Sequence, residues 1–121
     1  MADVIALVDD LFFQSKMVET ARNVGVALQT VSSGAALVAA AAVTAASNAP
    51  RLLLVDLNAR QGPLEAIEQL RAAGNPLPVI AFLSHVQTEL AQRARAAGCQ
   101  QVLPRSKFTA ELADILRQAK P

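Results

Sequence analysis

Short apolar runs alternate strictly with helical patterns along this chain, and that alternation leaves few folds open. The runs are Val4–Asp9 (VIALVD), Ala27–Val31 (ALQTV), Leu52–Asp56 (LLLVD), Val79–Leu83 (VIAFL) and Gln101–Leu103 (QVL). They are mostly apolar and often β-branched, as strands covered on both faces should be. Between them apolar residues recur at helical spacing: Phe13, Met17, Thr20, Ala21 and Val24; then Leu64, Ile67 and Leu70; then Val86, Leu90, Ala94 and Ala97; finally Phe108, Leu112, Ile115 and Ala119. An alanine-rich segment, Gly34–Ala46, supplies a further helix. Gly25, Gly74 and Gly98 each follow a helical pattern, where a left-handed cap favours glycine. Ser33 and Ser106 stand ahead of helices as expected N-caps, and Pro50, Pro76 and Pro78 fall in connections. Five strands and five helices in alternation require right-handed crossovers and a parallel sheet between helical layers. The expectation is one α/β domain spanning residues 1–121.

Composition narrows what such a domain does. A chain of 121 residues, 53% hydrophobic and 17% charged, buries a full core. A net charge of +1 provides no electrostatic footprint for nucleic acid, and four Phe with no Trp or Tyr make a poor base-stacking platform. The single Cys excludes an intrachain disulfide framework and a Cys-rich zinc site, and fits a reducing cytoplasm. No basic segment followed by an apolar stretch opens the chain, so no signal peptide is expected. Gly34–Ala46 falls well short of the roughly 20 residues needed to span a bilayer, so no membrane association is expected.

In an open parallel sheet, ligands bind at the carboxyl ends of the strands. Asp9 and Asp10 follow the first run and Asp56 closes the third. An aspartate ending a buried strand is costly unless something pairs with it. Three converging carboxylates would repel one another and raise each other's pKa unless a hard divalent cation, most naturally Mg²⁺, neutralised them. Equally, Asp9 and Asp10 would cap the first helix while Asp56 accepts from loop amides. Spacing alone leaves both readings standing.

Taken in order, VIALVDDLFF, LLLVDLN, LPVIAFLSH and AGCQQVLPRSKF resemble the four signature regions of response-regulator receiver domains, from Val4 to about Gln118. The resemblance implies a flavodoxin-like (βα)5 three-layer sandwich with strand order 2-1-3-4-5. It implies a phosphoryl group donated by a partner histidine kinase to Asp56. It also implies Mg²⁺ held by Asp9, Asp10, Asp56 and the backbone carbonyl of Asn58, where the metal would offset charge on the transferring phosphoryl.

The chain departs from the family pattern in several places. Where the family carries Thr or Ser at the end of the fourth strand, a gapless count places Leu83; a one-residue slip would bring Ser84 there. Arg105 and Ser106 occupy the positions of the family's lysine and cis-proline, with Lys107 two residues beyond the lysine position. Arg105 keeps the charge but is bulkier and forked. Val102 replaces the switch aromatic of the fifth strand, and LNARQGPLE lacks the usual Met-Pro and runs one residue short. The acids remain while the readout is altered, as in a degenerate or pseudo-receiver.

Two readings follow: a receiver-like module acting through protein contacts without phosphorylation, and a working phosphoacceptor using Asp56. At most, Mg²⁺-dependent self-phosphorylation is expected in place of true enzymatic activity. A flavin- or nucleotide-binding role is disfavoured, because no glycine-rich loop follows the first strand. His85 is expected to be a surface or capping residue and Cys99 an unreactive filler. Phe12, on a more polar face than Phe13, is either an exposed partner contact or packed against the loop after the third strand. With no effector segment after the last helix, output is expected through protein contact. The resemblance directs that contact, including a weak homodimer, to the fourth helix, fifth strand and fifth helix. The outward residues there are Thr88, Gln92, Arg93 and Arg95, with Glu111, Asp114, Arg117 and Gln118.

Overall fold

A computed structural model describes residues 2–42, 50–84 and 87–120. Five parallel strands, β1 (Val4–Leu7), β2 (Leu28–Val31), β3 (Leu52–Asp56), β4 (Val79–Leu83) and β5 (Gln101–Pro104), form one sheet in the order β2-β1-β3-β4-β5. Five helices connect and follow them: α1 (Leu11–Val24), α2 (Gly34–Ala41), α3 (Pro63–Ala72), α4 (Thr88–Ala96) and α5 (Arg105–Gln118). The expected order and count are both realised. No helix among the described residues is long and apolar enough to cross a membrane.

Strand periodicity divides the core in two. Val4, Ala6 and Val8 with Leu52, Leu54, Ile80 and Phe82 face one side, under Phe13, Met17, Phe108, Leu112 and Ile115 of α1 and α5. Ile5, Leu7, Leu53, Val55, Ala81 and Leu83 face the other, under Leu37, Leu64, Ile67 and Ala94 of α2, α3 and α4. Every residue of β1, β3 and β4 is buried, whereas the edge strands β2 and β5 are only partly covered. Apolar runs on the inner strands and mixed ones at the edges follow from that placement.

The ends of several elements differ from expectation. β1 stops at Leu7 rather than Asp9, because Asp10 adopts the extended conformation of the α1 N-cap and draws the chain out of the sheet. β2 begins at Leu28 rather than Ala27, whose carbonyl instead accepts from the amides of Asp3 and Val4. β5 runs on to Pro104, paired with Leu83 at the sheet edge. Ser106 is not the cap of α5. The helix already begins at Arg105 with Pro104 as N-cap, so Ser106 lies inside the first turn and makes no side-chain cap. Ser33, by contrast, accepts from the amide of Ala36, as its position predicts. Of the alanine segment, α2 reaches Ala41; Val43–Ala46 lie outside the described residues, as do His85 and Val86.

One close approach ties α2 to the loop that carries the site. The amide of Gly34 donates to the carbonyl of Gln61 at 2.7 Å. A Cβ at Gly34 would run into the carbonyl oxygen of Gly62 and stand 3.1 Å from the Cβ of Ala66. Gly62 is itself left-handed (φ 68°), a conformation that favours glycine, and it opens α3.

Candidate functional site

The loops at the carboxyl edge of β1, β3, β4 and β5 carry the acids, Arg105 and Asn58. Asp10 caps α1: its Oδ1 accepts from the amides of Phe12 (3.0 Å) and Phe13 (3.1 Å). Its Oδ2 accepts from Nη2 of Arg105 at 3.0 Å. The Phe13 amide first, then the Arg105 guanidinium, hold the Asp10 carboxyl below its ordinary range. Oδ2 of Asp9 accepts from the amide of Arg60 at 2.9 Å, tethering the β1 end to the loop after β3.

Asp56 is the one buried ionisable side chain among the described residues, at 5% exposure. Its Oδ1 accepts from the amide of Asn58 at 2.9 Å. Burial above all raises its pKa, with the charges of Asp9 and Asp10 adding; the Asn58 amide and Arg105 oppose them. Asp9 and Asp10 are thus close enough for their charges to act on Asp56.

Arg105 stands over an aromatic floor. Its Cζ lies 4.3 Å from the ring centroid of Phe13. Phe13 meets Phe82 edge-on at 5.3 Å, and Phe82 stacks on Phe108 at 4.1 Å. A guanidinium both pairs with a carboxylate and lies flat on a ring, which an ammonium does less well. This three-ring floor is not visible in any local motif, since each ring also fits an ordinary core position.

Across the sheet edge, Asn58 joins two loops. Its Oδ1 accepts from both the amide (2.6 Å) and the hydroxyl (3.0 Å) of Ser84, and its Nδ2 donates to Gln87 at 2.9 Å. Leu83 is buried in the α2–α4 side of the core with Val102. Neither residue therefore offers a free hydroxyl: Leu83 has none, and that of Ser84 is engaged by Asn58.

Whether these residues fit Mg²⁺ is a matter of donor arrangement. A small hard cation needs oxygens converging at roughly 2.0–2.1 Å in near-octahedral geometry. Among the described residues no three acidic, His or Cys side chains are so arranged. Asp10 is held by two amides and a guanidinium, and Asp9 and Asp56 each point an oxygen at a loop amide. As placed, the acids do not fit the metal that the resemblance implies.

Elsewhere, Cys99 is partly buried and burial pushes its thiol up to about 11. Phe12 is 92% exposed, with Leu11 beside it at 75%; of the two placements open to Phe12, the exposed one is found. On the outer face of α5, Arg117 pairs with Asp114 of its own helix at 2.7 Å.

No protein-family model matches the chain, and no curated protein matches its sequence. Solved structures do. The chain is similar to a response regulator of red light signalling in R. palustris, at 19% identity over 98% of this chain and 90% of that one, TM-score 0.76. It is similar to the signal receiver domain of NarL from Mycobacterium tuberculosis, at 18% identity over 98% and 95%, TM-score 0.77. A receiver protein from Pseudoalteromonas atlantica gives 18% identity over 96% and 95%, TM-score 0.77. The architecture is thus the flavodoxin-like fold of response-regulator receiver domains, with strand order 2-1-3-4-5.

Proposed function

We propose that this chain is a receiver-like signalling domain of the two-component (phosphorelay) type that acts through protein–protein contacts, with Asp56 contributing no phosphoryl switch. The observation that carries this reading is the engagement of the Ser84 hydroxyl by Asn58, with Leu83 packed in the core. A phosphoryl group on Asp56 would lack the hydroxyl that the receiver resemblance calls for. A cleft of about 210 Å³ between α4 and β5 is lined by Leu83, Thr88, Ala91, Arg95 and Val102, the last where that resemblance expects a large ring. A side chain from a partner, a histidine kinase or another signalling protein, fits such a cleft. The same face is the proposed contact of a weak homodimer, and the reading includes a cytoplasmic setting with no nucleic-acid or membrane partner.

The test is exposure of the protein to a small phosphodonor with Mg²⁺, followed by intact mass. No added phosphoryl mass is expected. Near-complete incorporation that Asp56→Asn abolishes would establish the second reading, a phosphoacceptor at Asp56. That second reading draws on the position of Asp56 at the carboxyl end of β3, within the field of Asp9 and Asp10.

A further inference from the structure

We propose that Arg105 is the resident cation of this site, so that its pairing with Asp10 and the binding of a divalent metal exclude each other. The inference rests on reading Asp9, Asp10 and Asp56 as the receiver acid cluster, and it adds what neutralises them.

Both oxygens of Asp10 already accept hydrogen bonds. Oδ1 holds two amides at the start of α1, and Oδ2 holds Arg105 at 3.0 Å. A metal drawing on Asp10 would displace the guanidinium, and a shift of the carboxylate to reach it would also uncap the helix. Arg105 in turn is held from two sides. Its carboxylate partner lies at 3.0 Å and the Phe13 ring at 4.3 Å, and that ring is backed by Phe82 and Phe108. The guanidinium cannot swing aside without leaving both. Its charge also reaches Asp56, where it opposes the repulsion from Asp9 and Asp10. One fixed positive group thus does for the acids what a bound cation would do, without a dehydration step.

The experiment is a Mg²⁺ titration followed by amide shifts in two-dimensional NMR and by thermal unfolding. It uses the full chain, Arg105→Ala and Arg105→Gln. The Gln variant removes the charge while keeping a polar side chain of intermediate length, and guards against a folding defect in the Ala variant. The unsubstituted protein is expected to show no saturable shifts at Asp9, Asp10 and Asp56 up to about 10 mM, above the roughly millimolar range of weak dedicated cation modules. Its Tm should be unmoved by the metal. Both variants are expected to gain saturable binding, about tenfold tighter or better, and a Mg²⁺-dependent rise in Tm. Equal affinity in all three proteins, or no binding in the variants, would overturn the inference. Neither outcome touches the proposed signalling role, which the phosphodonor experiment decides separately.

Discussion

The side-chain oxygen of Asn58 accepts two hydrogen bonds from Ser84, one from its amide at 2.6 Å and one from its hydroxyl at 3.0 Å. Two loops at the carboxyl edge of the sheet are thereby closed on each other. Asn58→Ala removes both bonds and that to Gln87. Because the groups are exposed, a loss of about 0.5–1 kcal/mol is expected. Hydrogen exchange should speed up at the Ser84 amide more than at β3 or β4. Unchanged protection at Ser84 would mean the bridge contributes nothing to loop order.

Asp56 and Asp10 should mark the pH dependence of stability with opposite signs. Burial raises the Asp56 pKa, so the folded state binds its proton more tightly than the unfolded one. The stability that follows is greatest below the unfolded value and is lost as pH rises through the folded pKa. Asp10 is lowered, so its contribution is present above its unfolded value near 3.8 and is lost as pH falls below that. Asp56→Asn removes a buried charge and is expected to raise Tm by a few degrees at pH 7, with a smaller gain on mild acidification. Calorimetric scans from pH 4 to 8 check this (a domain of this size shifts by a few degrees per kcal/mol). A lower Tm for Asp56→Asn at pH 7 would show that the carboxylate is structural.

Cys99 should be slow to react. With its thiol pushed from 9.0 to about 11, the thiolate fraction near pH 8 falls by roughly 100-fold. Labelling with a chromogenic disulfide at pH 8 is expected to be slow in buffer and fast in denaturant. Comparable rates in the two would place the thiol in an open environment.

Adjacent phenylalanines should behave as opposites. Phe13 is buried in the ring cluster under Arg105, so Phe13→Ala is expected to cost about 3–5 kcal/mol. Phe12, at 92% exposure, should change stability by no more than about 0.5 kcal/mol when replaced by Ala. Urea unfolding of the two variants separates them.

Self-association should be weak and salt-sensitive. Arg93 and Arg95 are exposed on α4, while Asp114 of α5 already pairs with Arg117. Rim charges of this kind contribute below about 1 kcal/mol each. A monomer–dimer equilibrium in the micromolar range or weaker is expected, loosened by salt and by Arg95→Glu. Sedimentation at two salt concentrations tests it, and a tight dimer indifferent to both would place the contact on another face.

Much of this architecture is legible in the residues, for an identifiable reason. Strands buried on both faces must be apolar throughout, so LLLVD and VIAFL announce themselves, and Asp56 stands out because it ends one of them. Where strands stop is less visible. VIALVD reads as one run, but the ladder ends when Asp10 turns to cap α1. Ser106 looks like a cap, yet the helix starts two residues too early for it. The Arg105–Phe13 stack and the Asn58–Ser84 bridge join distant parts of the chain, and no local pattern encodes them. Gly34 reads as the start of an alanine helix; only the fold shows that the Gly62 carbonyl leaves it no room for a side chain.

The three-ring floor beneath Arg105 has an optical consequence. With four Phe and neither Trp nor Tyr, the chain is almost transparent at the wavelength commonly used to measure protein concentration. The sharp phenylalanine bands in its near-ultraviolet circular dichroism are correspondingly unmasked. Such signals require rings in fixed, asymmetric surroundings. Phe12, free in solvent, supplies little, so the spectrum is written chiefly by Phe13, Phe82 and Phe108. Any ligand or partner that moves the guanidinium off its ring should therefore register in an unlabelled sample.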